Sequence, residues 1–137
     1  MSSPEISGLW GVYIRETRST CLLKYFLHHL QAQDIKPILE KALRISQAHL
    51  NQSKDIFSKE NIPLPDGFTE EDINLSTPPL FYDLFALSFV YSMNHMSMVN
   101  LGFATSTVAR ADVLDFFTQA FNQAAELYAE STTFHVI

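Results

Sequence analysis

The stretch NIPLPDGFTEEDINLSTPP, residues 61–79, separates two pairs of long helical patterns and cannot itself be a helix, because it holds four of the chain's six prolines. About eighteen extended residues reach nearly 60 Å, whereas a 26-residue helix is only about 40 Å long. The segment can therefore carry the chain from one end of a helical bundle to the other. A connection of this length is uncommon in a compact domain, and a crossover is one reason to have it. The expectation is an all-α, up-down-down-up four-helix bundle, a single domain over residues 1–137, with the long crossover loop between the second and third helices. Within the loop, Thr69-Glu70-Glu71-Asp72 predicts a single helical turn.

On the N-terminal side, a first helix is expected from Pro4 to about Leu30, with Ile6, Leu9, Tyr13, Leu23, Leu27 and Leu30 recurring at three and four, and Trp10 and Phe26 widening the apolar face. A tight turn at Gln31–Gln33 leads to a second helix with Asp34 as its N-cap, Pro37 in its first turn, and a stripe of Ile35, Ile38, Leu39, Ala42, Ile45, His49 and Ile56. On the C-terminal side, a third helix should follow Pro78-Pro79 and end near Thr105. Its residues Phe81, Phe85, Phe89, Val90, Met93, Met96 and Met98 fit no single stripe, so it lies centrally or supplies an interface. A fourth helix, capped by Asp112 or Thr107, carries Val113, Phe116, Phe117, Ala120, Ala124, Leu127 and Tyr128.

Composition narrows the function classes. With 47% hydrophobic and 18% charged residues, the chain has ample material for one core. Nine basic against fifteen acidic residues, with no basic cluster, argue against nucleic acid as a partner. Residues 84–107 contain no Asp, Glu, Lys or Arg, but Ser88, Ser92, Asn94, His95, Ser97 and Asn100 interrupt them too often for a membrane span. One cysteine, Cys21, and an N-terminus without a signal pattern predict cytoplasmic synthesis. There is no glycine-rich phosphate loop, no Gly-x-Ser-x-Gly and no zinc-finger spacing.

The segments Leu9-Trp10-Gly11-Val12-Tyr13, Ile62 to Ile73 (IPLPDGFTEEDI), and Arg110 to Phe117 (RADVLDFF) resemble those of an uncharacterised family of endospore-forming bacilli that is itself similar to spore coat protein F. The resemblance covers nearly the whole chain. It implies a ferritin-like bundle, in agreement with the loop-length argument, and a spore-associated protein, but no catalytic residues.

A ferritin-like di-iron centre takes a Glu from each of two helices and a Glu-x-x-His from each of the other two. No Glu-x-x-His occurs; the second helix has Ser46-Gln47-Ala48-His49 and the fourth Phe121-Asn122-Gln123-Ala124. Chemistry of that type is not expected. A polar cluster is. Glu16 and His49 each lie fifteen residues from the first turn, so both sit about 22 Å below it, and His95, counted from Pro79, lies about 24 Å down the third helix. Under the crossover topology the three converge, and Glu16, His49 and His95 could hold a divalent metal such as Zn, Fe or Mn. The simpler alternative is a metal-free histidine–glutamate pair, with Thr20 and Tyr91 completing the hydrogen bonds.

Two functions follow. One is a non-enzymatic structural or assembly protein, without cofactor, that forms a homodimer or packs on other coat or spore proteins through the surplus apolar surface of the third helix. The other is a small metal- or ligand-binding bundle built on the Glu/His/His site.

Overall fold

The computed structural model describes residues 1–77 and 83–132. Four helices form it: α1 (Ser3–His29), α2 (Lys36–Lys59), α3 (Asp83–Thr105) and α4 (Ala111–Thr132), with a single 3-10 turn, Glu70–Asp72, in the long connection. That turn falls where the acidic run predicted it. The expected start of the third helix after Pro78-Pro79, with Phe81, and the Leu84 side chain lie outside the described residues.

Helix α1 begins at a capping box. Ser2 is the N-cap, its side chain accepting from the Glu5 amide while the Glu5 carboxylate accepts from the Ser2 amide, and Pro4 occupies the first turn. Glu5 also accepts from the Arg110 amide at 2.9 Å, so one buried carboxylate ties the start of α1 to the start of α4. The hydrogen bonds from Ser2 hold this carboxyl well below the usual range, at about 2. Arg110 in turn pairs with Glu60 at the end of α2 and, at 2.7 Å, with Asp112. Three helix ends therefore meet at one guanidinium and one carboxylate. Asp112 receives the Val113 amide, and Arg110 precedes the first residue of α4. Asp34 does not cap α2. Ile35 stands at that position with no side-chain cap bond.

The crossover leaves α2 through a Schellman motif. Asn61 takes a left-handed φ of 55°, its amide donates to Ser58 O, and the Ile62 amide reaches back to Phe57 O. The loop then runs along one flank of α1. The Phe68 amide donates to Thr17 Oγ1, Cys21 Sγ donates to Thr69 O, and Tyr25 and Thr77 hydroxyls lie 3.3 Å apart. Thr17, Cys21 and Tyr25 follow one another at i, i+4 and i+8, so a stripe of α1 outside the bundle seam is buried by the loop. Cys21 is packed, but under the crossover and not between helices.

Two hydrophobic clusters show the direction of every helix. One joins Leu23 and Phe26 near the end of α1, Ile38 and Leu39 near the start of α2, Leu87 and Val90 near the start of α3, and Leu127 near the end of α4. The other joins the opposite ends: Leu9 and Val12, Ile56 and Phe57, Leu101, and Val113, Phe116 and Phe117. Only an up-down-down-up path places these groups together, which is the order argued from loop length. Helix α1 pairs with α2, α3 with α4, and the two hairpins pack with α1 beside α3 and α2 beside α4.

Candidate functional site

Between the two apolar clusters, α1 carries Glu16, α2 carries Ser46 and His49, α3 carries Asn94 and Ser97, and α4 carries Ala120, Gln123 and Ala124. All but Gln123 line a small interior cavity of about 20 Å³, room for roughly one water molecule. The small side chains of Ala120 and Ala124 leave this space.

Glu16 and His49 are brought together as their equal spacing from the first turn predicted. His49 Nδ1 lies 3.7 Å from Glu16 Oε2, with the two side chains 7% and 12% exposed. That separation is too long for a hydrogen bond. Glu16 Oε2 is buried and makes none. On its other side, His49 Nε2 lies 2.5 Å from Gln123 Oε1, and the Phe116 ring packs edge-on against the imidazole. In the tautomer that donates Nε2–H to the Gln123 amide oxygen, Nδ1 of the neutral ring faces Glu16. Burial pushes the Glu16 carboxyl up to about 7, against a hydrogen bond from Ser46 and the charge of Arg15. Burial likewise lowers His49, opposed by the bond to Gln123. Both shifts oppose an ion pair near neutral pH, since burial favours the uncharged imidazole and the protonated carboxyl.

His95 does not join them. It is exposed, with its ring 6.2 Å from that of Tyr128. The cause is the phase of α3: the buried stripe runs Leu87, Val90, Asn94, Leu101, whereas Leu87, Tyr91 and His95 drift round toward α4. Tyr91 stacks on Tyr128, their hydroxyls 2.7 Å apart, and is not a partner of the histidine–glutamate pair. Nor is Thr20, whose buried hydroxyl makes no hydrogen bond. Their places are taken by Ser46 and Gln123. A signal for both exists in the sequence, since each is a polar residue on an otherwise apolar stripe: Ser46 between Ala42 and His49, Gln123 between Ala120 and Leu127.

Among the described residues no three His, Cys, Asp or Glu side chains cluster as metal ligands. A di-iron centre does not fit this chamber. Such a centre would take carboxylates where Ser46, Asn94 and Ala120 stand and a second histidine where Gln123 stands.

Compared with known families, residues 1–135 match the family described as proteins of unknown function, DUF3231. The chain belongs to that family. Two crystal structures share the fold of this DUF3231 protein. A protein of Bacillus halodurans C-125 named as a putative spore coat protein aligns with a TM-score of 0.85 at 15% identity, over 97% of this chain and 86% of its own. A conserved hypothetical protein of Mycobacterium tuberculosis aligns with a TM-score of 0.82 at 12% identity, over 98% and 99%. At these identities the likeness is one of fold. No curated protein matches the chain. No helix among the described residues is long and apolar enough to cross a membrane.

Proposed function

We propose that this DUF3231 chain is a non-enzymatic assembly module, made in the cytoplasm and associated with the spore, whose α3 docks on a second copy of itself. One observation carries the reading. Phe85, Phe89, Ser92, Met96, Val99 and Phe103 follow one another along α3 at spacings of four and three; Phe103, 74% exposed, Val99 and Met96 stand out in solvent, while Phe85 is half exposed and, like Phe89, packs on Phe26 of α1. Isolated apolar residues on a surface need no explanation, but a heptad row along one helix is the pattern that packs against another helix. The row has no charged residue from 84 to 105, so two copies can meet across a two-fold axis without like-charge repulsion. The coat-like character of the reading rests on the name of the Bacillus halodurans neighbour.

Sedimentation of the untagged chain across a hundred-fold concentration range tests it. The expected result is a monomer–dimer equilibrium that shifts at least ten-fold toward monomer in Met96→Ser/Phe103→Ser. A wild-type chain monomeric throughout would refute self-docking and redirect attention to other coat proteins as occupants of the row.

A further inference from the structure

We propose that the groove between α1 and α3 binds a small monocarboxylate with an unbranched alkyl tail, the carboxylate on Arg15 and Arg18 and the tail along α3. Self-docking of α3 is not required for it. The starting point is a cation without a partner. Arg15 is half-buried and lines the groove together with Arg18, and neither guanidinium makes an ion pair or a hydrogen bond among the described residues. A guanidinium has five N–H donors and does not shed its charge, so burying it unpaired is unfavourable. Burial lowers Arg15 from its ordinary value, opposed by the charge of Glu16 and reinforced by that of Arg18. Two like charges at the lip of one groove are relieved by an anion, and the planar fork of Arg15 fits a carboxylate through two hydrogen bonds. Glu16 does not serve as that anion. Its Oε2 faces His49 and makes no hydrogen bond, Ser46 bonds the carboxyl, and burial pushes it up to about 7.

The rest of the groove selects the tail. Its volume is about 160 Å³, and Phe89, Met93 and Met96 make the α3 side chiefly apolar. The Ser19 hydroxyl donates to Met93 Sδ at 2.8 Å, which holds that side chain against α1. A nucleotide or sugar phosphate would set hydroxyl groups against these three side chains, whereas an alkyl chain buries apolar surface on them, and methionines adapt to its shape. Length follows from the helix. Ser97 and Phe89, both in the lining, stand eight residues apart, about 12 Å along α3. An extended alkyl chain advances roughly 1.25 Å per carbon, so an acid of about eight carbons spans the groove with its head at the arginines. The volume lies below the roughly 300–1,000 Å³ of sites for drug-sized ligands, so modest affinity is expected. Phe89, Ser92 and Met96 also belong to the α3 row, which places the tail beside any self-docked copy.

The test is titration of the untagged chain at pH 6 with sodium octanoate, read by calorimetry and by the methyl resonances of its four methionines. The same titration on Val99→Ser/Phe103→Ser, which leaves the groove lining intact and weakens self-docking, separates a covered groove from an absent site. One octanoate per chain is expected, with the Met93 and Met96 methyls shifting and those of Met1 and Met98, outside the lining, staying in place. Octanol, with the tail but no charge, and acetate, with the head but no tail, should each bind at least ten-fold more weakly. Arg15→Met, which keeps the apolar stem, should weaken octanoate at least ten-fold, and Arg15→Lys, which keeps the charge, should lose less. Failure of both chains to bind octanoate overturns the proposal, whatever their state of assembly. Octanol binding as tightly as octanoate also overturns it, by showing apolar surface alone, a result that needs no variant to fold. Unchanged affinity in Arg15→Met does the same by placing the acid elsewhere.

Discussion

At the scale of single residues, burying the Glu16 carboxyl carries a cost that depends on pH. The ordinary carboxyl value is 4.5 and burial moves it to about 7. Below 4.5 the group is protonated folded or unfolded and contributes nothing. As pH rises through about 7 the unfolded chain is ionised while the folded one must either hold a proton or bury a charge, so stability falls. The shift sets an upper bound on the order of 3 kcal/mol for the loss between pH 4.5 and 8. His49, lowered by burial, acts in the other direction, costing stability as pH falls below the usual histidine value. In chelator, Glu16→Gln should therefore be more stable than wild type at pH 8 by about 1–3 kcal/mol and indistinguishable near pH 4.5, as read from urea midpoints. Equal midpoints at pH 8 would mean that Glu16 is solvated in solution. The sequence revealed this pair because its two members lie on strong stripes at equal distance from a short turn. Gln123 was hidden because a glutamine on a helix face is ordinarily solvent-facing, and only Ala120 and Ala124 beside it signal the space that admits it.

Among the elements, legibility followed amphipathicity. Helices α2 and α4 present one apolar face each, and the residues expected to be buried there are buried, Ile45 and Tyr128 only partly. Helix α3 is apolar nearly all round, so its phase could not be read. An error of one residue turned its stripe by about 100° and placed His95 where Asn94 belongs. Trp10, expected to widen the apolar face of α1, is half exposed for a related reason: the second buried flank of that helix is dictated by the crossover, through Thr17, Cys21 and Tyr25, and not by periodicity. The crossover's seating hinges on Gly67. A Cβ there would come within 2.7 Å of Thr17 Cγ2 and 2.9 Å of Thr17 Oγ1, the atom that accepts from the Phe68 amide. Gly67→Ala should cost about 1–3 kcal/mol and raise hydrogen exchange at Phe68. Adding Thr17→Ser, which removes the nearer contact and keeps the acceptor, should restore part of the loss. A neutral Gly67→Ala would mean that the loop does not rest on α1 in solution.

For the whole molecule, the decisive arrangement is two apolar clusters at opposite ends of the bundle with a polar chamber between them. Every helix passes through both clusters, so neither end can melt without releasing segments that complete the other. The chamber adds little of its own to that linkage, because its groups make few bonds and carry the burial cost of Glu16. Cooperativity must then come from helix continuity across the middle, helped by the Glu5–Arg110–Glu60 connection at one end. Leu39, fully buried at one end, and Phe117, fully buried at the other, test this from both sides. Leu39→Ala and Phe117→Ala should each lower stability by about 2–5 kcal/mol. Because the two residues lie in separate clusters, the double variant should lose the sum to within about 0.5 kcal/mol. In all three variants, near-UV and far-UV signals should follow a single coincident urea transition. If the ends were separate folding units, each substitution would instead split the curve, with the far-UV change at the mutated end preceding the rest and hydrogen exchange accelerated in that cluster alone.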